Sequence, residues 1–436
     1  MKLRAALLFV YCLAVASPAV ATQGSGVAAR GANDSRSGAV VFEKVRPSLV
    51  TLRNALVSTG ERSTLGSAFA VDRQGRAITN YHVVAEHALR PERYALEYES
   101  ASGPWRRAQV LAIDVVHDLA VVQLEQFAGG PIPLFAGPSK PSMRLGEPIF
   151  SLGNPLDLGF TVTAGTYSGM VRGGHGATVH FTGALNAGMS GGPALNARGD
   201  LVGVNVSRMA DGEQVSFLVP IEHAQDLYRR ATAEPAIDLR KVREVIASQI
   251  GSEQARISAL ALGRTWTAGA GRALSVPEML DDAVECAAQD NDQGRFSMPY
   301  EFRSLQCAMR NMIYVDEGFY ASGVVYASHV LRAKTLNTVQ LFRAADRVAK
   351  SELLGLRSRH YGRQVCTESF IDLRGRPGRA VVCAQAFREL QGLYEIEVRV
   401  ISQNGESEVT VSRLALNGFT WDNGMALVSR YMDWMR

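Results

Sequence analysis

The chain has 436 residues, of which 47% are hydrophobic and 20% charged, and its formal net charge is +4. At roughly 150 residues per domain, that length predicts two or three folded domains. Two of the positive charges are Lys2 and Arg4 at the N-terminus, so the rest carries no electrostatic footprint for nucleic acid and no such partner is expected.

Residues 1–21 read as a secretory signal peptide: Lys2 and Arg4, an apolar run from Ala5 to Ala16, then Ala19-Val20-Ala21 as a small-residue cleavage site. The run is short for a membrane span, and no later segment has the length of one, so the mature chain is expected to be periplasmic or secreted. Cys12 inside the run leaves a lipoprotein as the weaker alternative. Residues 22–38, rich in Gly, Ser, Ala and Asn, read as a flexible arm.

From residue 39 to about 230, short apolar runs recur between Gly, Pro, Asn and Asp, among them Gly66–Val71, Leu119–Leu124, Thr161–Val171 and Leu201–Val206. Such spacing predicts an all-β sandwich or barrel. A helical linker is expected at 231–265, where Ile237, Val242, Val245, Ile246 and Ile250 form one apolar stripe. Gly251 is expected to break it, with a second helix from Ser252 to Leu262.

Residues 266–436 read as an α+β domain. Helices are expected at Pro277–Ala288, Asn337–Leu354 and Asp422–Met435. Strands are expected at Val365–Leu373, Ala380–Phe387, Tyr394–Ile401 and Glu408–Leu416, the last two joined by a hairpin turn at Asn404-Gly405. Cys286, Cys307, Cys366 and Cys383 all lie here, an even number in an exported chain, which favours disulfides over a metal site. Cys366 and Cys383 are nearly equidistant from the turn at 374–378, so they are expected to pair, leaving Cys286 for Cys307.

The chemistry concentrates in three segments. Asn186-Ala187-Gly188-Met189-Ser190-Gly191-Gly192-Pro193 sets a serine among glycines, which let a backbone fold tightly around a nucleophile and aim N–H groups at an oxyanion. Thr79-Asn80-Tyr81-His82-Val83-Val84 offers a base, and Asp114-Val115-Val116-His117-Asp118-Leu119 an acid. His82, Asp118 and Ser190 follow one of the known chain orders of a catalytic triad. Asp114 and His117 are rival candidates for acid and base.

With those segments, residues 40 to about 222 resemble the protease domain of the HtrA (Deg) branch of the trypsin-like serine peptidases. Further matches are Val41–Val50, Gly66-Ser67-Ala68-Phe69, Gly153-Asn154-Pro155, Thr161–Gly165 and Ser216–Pro220. The resemblance does not reach the C-terminal half, where no PDZ module is recognisable. It implies two packed six-stranded barrels with the site in the cleft between them. It also implies an endopeptidase that cuts polypeptide substrates with no metal or organic cofactor. His82 and Asp118 would come from the first barrel and Ser190 from the second. The N–H groups of Gly188 and Ser190 would form the oxyanion hole, and Ala184, Leu185, Val206 and Arg208 would lie near the primary specificity pocket.

Without an acidic residue at that pocket's base, a small or aliphatic residue before the cut is the expected preference. Arg208 offers an acidic residue as the alternative. Met189 stands where the family usually carries Asn or Asp, so a polar anchor of the serine loop is lost. That departure sustains a rival reading: a silent or latent protease-fold protein whose C-terminal domain binds partners. The sequence carries no signal for an oligomeric state.

Overall fold

The computed structural model describes residues 38–100, 103–136, 143–206, 216–266, 276–280, 283–290, 298–351, 359–373 and 375–436. The predicted signal peptide and nearly all of the arm lie outside them. Residues 38–45 form helix α1. Then come β1 (Leu49–Leu56), β2 (Arg62–Ala70), β3 (Arg76–Thr79), α2 (Tyr81–Leu89), β4 (Tyr94–Ser100), β5 (Arg106–Asp114) and β6 (Leu119–Leu124). These strands close a barrel in the order β1-β2-β3-β6-β5-β4. Strand β5 shows the cause: Ala108 and Val110 are buried and Arg107 and Gln109 exposed, the period-two pattern of a sheet with one wet face.

A second barrel follows from β7 (Pro148–Gly153), β8 (Thr161–Gly173), β9 (Gly176–Phe181), β10 (Pro193–Asn196), β11 (Leu201–Val206) and β12 (Ser216–Pro220). Its order is β10-β11-β12-β9-β8-β7, and all its pairings are antiparallel. Closure leaves neither barrel an open edge. Helix α3 (Ile221–Ala233) leaves the second barrel, and its Ile221, Ala224 and Leu227 join a core shared with Leu119 and Val121 of the first.

Helix α4 runs unbroken from Val242 to Leu262, against the expected stop at Gly251. A glycine inside a helix costs about 1 kcal/mol, which tertiary packing readily outweighs. Val242, Ile246 and Ile250 are buried in one cluster with Ile113 and Val115 of the first barrel, while Ile257 and Ala261 join the core of the C-terminal sheet. The segment expected to link two domains is therefore packed into both.

The remaining elements are β13 (Val284–Asp290), β14 (Tyr300–Met309), β15 (Ile313–Asp316), β16 (Phe319–Ala321), β17 (Gly323–Ala333), α5 (Thr338–Ser351), β18 (Val365–Asp372), β19 (Pro377–Ala386), β20 (Leu393–Gln403), β21 (Glu408–Thr420) and α6 (Trp421–Met435). Seven strands form an antiparallel sheet in the order β13-β14-β17-β21-β20-β19-β18, and β15 and β16 pair as a separate hairpin. One face of the sheet, through Val398, Val400, Leu414 and Leu416, packs on α4 and α6. The other, through Leu331, Ile401, Val409 and Val411, packs on α5.

The helix expected at Pro277–Ala288 is a correction: Val284–Asp290 is strand β13. Its register puts Cys286 opposite Cys307 of β14, and the two sulfurs are at bonding distance, as are those of Cys366 and Cys383 across β18 and β19. A covalent tie to a neighbouring strand favours extended backbone over the helix suggested by the local alanines and acids.

Candidate active site

His82 opens helix α2 as its second residue, and Asp118 stands in the turn between β5 and β6. Asp118 has a left-handed backbone, φ 54°, which its contacts hold in place. Its carbonyl accepts from the Tyr81 N–H at 3.1 Å and from Asn80 Nδ2 at 2.9 Å. Its carboxylate accepts from the His82 N–H at 2.9 Å through Oδ1 and lies 2.6 Å from His82 Nδ1 through Oδ2. An ionised carboxylate only accepts, so Nδ1 carries the proton and Nε2 is left as the acceptor. Backbone and ring are thus locked to one acid.

Ser190 is 4% exposed and belongs to the loop between β9 and β10. Several bonds fix that loop to the first barrel. The Ser190 carbonyl accepts from the Ser67 N–H at 2.8 Å, and the Gly188 carbonyl from Ser67 Oγ at 2.7 Å. Gly191, at φ 84°, lies so close that an added Cβ would fall 2.2 Å from the Ser67 carbonyl and 3.0 Å from the Asn80 nitrogen. The serine loop therefore abuts the turn that leads into His82, and Asp118 is bonded to that histidine.

Gly188 has φ 93°, and an added Cβ would meet the Asn154 carbonyl at 2.3 Å, so glycine alone fits there. The Ala187 carbonyl accepts from the Leu156 N–H at 2.9 Å. The N–H of Gly188, on the other side of the same planar peptide, must therefore point away from Leu156.

Met189, expected to loosen this loop, is fully buried. Its side chain packs over Gly153, where an added Cβ would meet the Met189 Cβ at 2.9 Å, and its sulfur lies 3.9 Å from Thr163 Oγ1. Anchoring comes from Asn205, which the sequence reading did not single out, and from Ser67, which it quoted only as part of a motif. Asn205 Nδ2 donates to the carbonyls of Leu152 at 2.8 Å and Met189 at 3.3 Å, and its Oδ1 accepts from Ser151 Oγ at 2.8 Å. Ser67 Oγ also accepts from the Asn154 N–H at 3.0 Å. A lone Asn in the apolar run Leu201–Val206 was the available signal, because a buried amide must be satisfied.

The rival pair is built too: His117 Nδ1 lies 3.0 Å from Asp114 Oδ2, its ring stacks on His223 at 3.7 Å, and Arg230 reaches the same carboxylate at 3.1 Å. Burial pushes the Asp114 carboxyl up, but its bonds to His117 outweigh this and leave it below the usual range. An arginine on the acid makes this pair a charge cluster anchoring α3.

Of the expected pocket residues, Ala184 is exposed and Leu185 half-buried against the second barrel's core, its N–H donating to Ser216 Oγ at 3.2 Å. Val206 ends β11, packed on the shared core. Arg208 lies outside the described residues. Among the described residues there is no His, Cys, Asp and Glu cluster that could hold a metal ion, and no helix is long and apolar enough to cross a membrane.

Residues 66–204 match the family model of the trypsin-like peptidase domain. The chain is 34% identical to serine protease HTRA4 of Mus musculus over 194 residues, which are 42% of this chain and 38% of that protein. It is 32% identical over 178 residues to the putative serine protease HhoA of Synechocystis sp., covering 38% of this chain and 43% of that protein. Among solved structures, Deg5 aligns at 25% identity with a TM-score of 0.39, over 45% of this chain and 94% of that one. The chain thus spans about two fifths of the length of the curated relatives it matches. The N-terminal part of this chain is a trypsin-like peptidase domain whose relatives are HtrA serine proteases.

Proposed function

We propose that the protein is an exported serine endopeptidase that hydrolyses polypeptides through an acyl-enzyme at Ser190. His82 takes the Ser190 proton through Nε2 as the hydroxyl attacks the scissile carbonyl, then passes it to the leaving amine. Asp118 holds the imidazole in the tautomer this requires and stabilises the imidazolium. The N–H groups of Gly188 and Ser190 stabilise the oxyanion, a contribution of about 10²–10³ in rate for each donor. Cleavage after a small or aliphatic residue is the preference that goes with the reading. Residues 39–230 act as the catalytic domain and 266–436 as a disulfide-bonded module, with export directed by residues 1–21.

The observation that carries this reading is the double hold of Asp118 on His82, 2.9 Å to the backbone and 2.6 Å to the ring, with Gly191 of the Ser190 loop packed against the neighbouring Asn80. A structural histidine needs one partner; a base must also be oriented with its second nitrogen available. Casein hydrolysis by the mature chain beside its Ser190→Ala variant is the test. Activity in the first and none in the second supports the proposal. Equal activity in both shows that another serine acts, and none in either favours the silent, partner-binding reading.

A further inference from the structure

We infer that the β15–β16 hairpin of the C-terminal region forms one wall of the substrate path, where Tyr314 and Tyr320 select an apolar substrate side chain. The inference rests on the catalytic reading of His82 given above.

The hairpin's sequence sorts its two faces. Ile313 and Val315 alternate with Tyr314, and Phe319 and Ala321 with Tyr320. Ile313, Val315, Phe319 and Ala321 are buried in the first barrel's core cluster, together with Tyr81 and Val84 of α2. Register sets Tyr314 opposite Tyr320 on the other face, with ring centroids 5.7 Å apart at 73°. Tyr314 and the His82 ring pack in a T-shaped pair, centroids 6.1 Å apart at 79°, and Tyr314 meets Tyr81 at 6.2 Å and 65°. An aromatic row therefore runs outward from the proposed base: His82, Tyr314, Tyr320. Its outer member is 41% exposed.

Charge and hydrogen bonds hold the row in place. Tyr81 Oη donates to the Val315 carbonyl at 2.9 Å, so the residue before His82 is bonded directly to the hairpin. Arg90, just beyond α2, grips the buried Asp316 carboxylate with two bonds, at 2.6 and 2.9 Å. Such a planar fork fixes orientation as well as distance. A helix carrying a catalytic base is thereby tied at both ends to one hairpin of the other module.

On the catalytic reading a polypeptide bound at Ser190 lies beside the His82 ring, and Tyr314 packs against that ring at 6.1 Å. With Tyr320 partly exposed at the outer end of the row, a substrate side chain has an aromatic surface to pack against. Aromatic pairs prefer this offset or edge-on geometry and gain beyond the area they bury. The class of ligand is an extended polypeptide with a Phe, Leu or Met at the residue that passes His82.

A position-scanning peptide library read as kcat and KM for wild type, Tyr320→Leu and Tyr320→Phe tests this. Wild type should favour bulky apolar residues at one position near the scissile bond. Tyr320→Leu should lower kcat/KM for those substrates by about tenfold, mainly through KM, and leave Gly or Ala at that position within about twofold. Tyr320→Phe should restore the preference. Leucine nearly conserves volume at a half-exposed site, and matching thermal melts confirm that the variant is folded. A uniform fall across the library, or an unchanged profile, overturns the inference. Fluorophosphonate labelling of wild-type Ser190 separates the two readings: labelling with an unchanged profile removes only the hairpin's role, and no labelling removes the catalytic reading and this one with it.

Discussion

The two barrels and the C-terminal sheet treat buried polar groups differently. In the barrels, the buried Asn205 amide and Ser67 hydroxyl hold loop backbone next to Ser190, at the Met189 and Gly188 carbonyls. In the sheet, charge itself is buried: Glu397 contacts Arg399 at 3.2 Å and Arg413 at 2.8 Å, beside Glu395, and Arg399 also donates to the Ala349 carbonyl of α5 at 3.2 Å. Neutral hydrogen bonds position a loop at little desolvation cost, whereas buried ions are expensive even when paired. The barrels bury charge as well, at Glu86 and Asp114, but as separate carboxylates, whereas the sheet gathers Glu395, Glu397, Arg399 and Arg413 in one buried group.

The sharpest break of this comparison is in the barrels. Asp118→Asn should lower kcat by about 10⁴-fold while the melting transition stays near that of wild type, because the amide can favour the wrong imidazole tautomer. A fall below about tenfold would mean that Asp118 is scaffold, like the polar groups of the sheet.

The second prediction concerns the sheet. Glu395 is 5% exposed, and burial, then the charge of Glu397, pushes its carboxyl from 4.5 up to about 7 against the pull of Gln385 and Arg413. Between those values the unfolded chain has lost the proton and the folded chain keeps it, so stability falls as pH rises through the window. At pH 8 the penalty is complete, on the order of 3 kcal/mol. Urea melts at pH 5 and pH 8 should show this loss in wild type and a reduced one in Glu395→Gln. Equal pH dependence in the two would place the proton elsewhere.

The smallest effect tests the joint between the regions. Gly251 lies inside α4, where an added Cβ meets Thr420 and Leu393 only at ordinary contact, 3.8 and 3.9 Å. Gly251→Ala should stabilise the chain by about 0.5–1 kcal/mol in urea melts with activity unchanged. A loss of stability would show that the helix needs the freedom of glycine there.

Much of the barrels was legible because their strands alternate and their chemistry sits in contiguous segments: Asn80 to His82, Asp114 to Asp118, Asn186 to Pro193. The C-terminal sheet was legible only where hairpins are local, as at Val365–Ala386 and Leu393–Thr420. Strands β14 and β17 escaped notice; β17 pairs Gly323 with Asn417, a partner distant in sequence that no local turn announces. In β20 the run Glu395-Ile396-Glu397-Val398-Arg399 reads as a strand with a wet face, yet both faces are buried. Gly251 misled because helix breaking is a local tendency and the packing that overrides it is not. Tyr314 was invisible for the same reason: nothing between residues 313 and 316 points to a histidine near residue 80.

Mass spectrometry of the mature chain after reaction with a fluorophosphonate is the most direct test of the central claim. We predict a single adduct on Ser190 in wild type and none in His82→Ala, since only a serine activated by that imidazole reacts. An adduct on another serine, or on Ser190 at the same rate without His82, would contradict it.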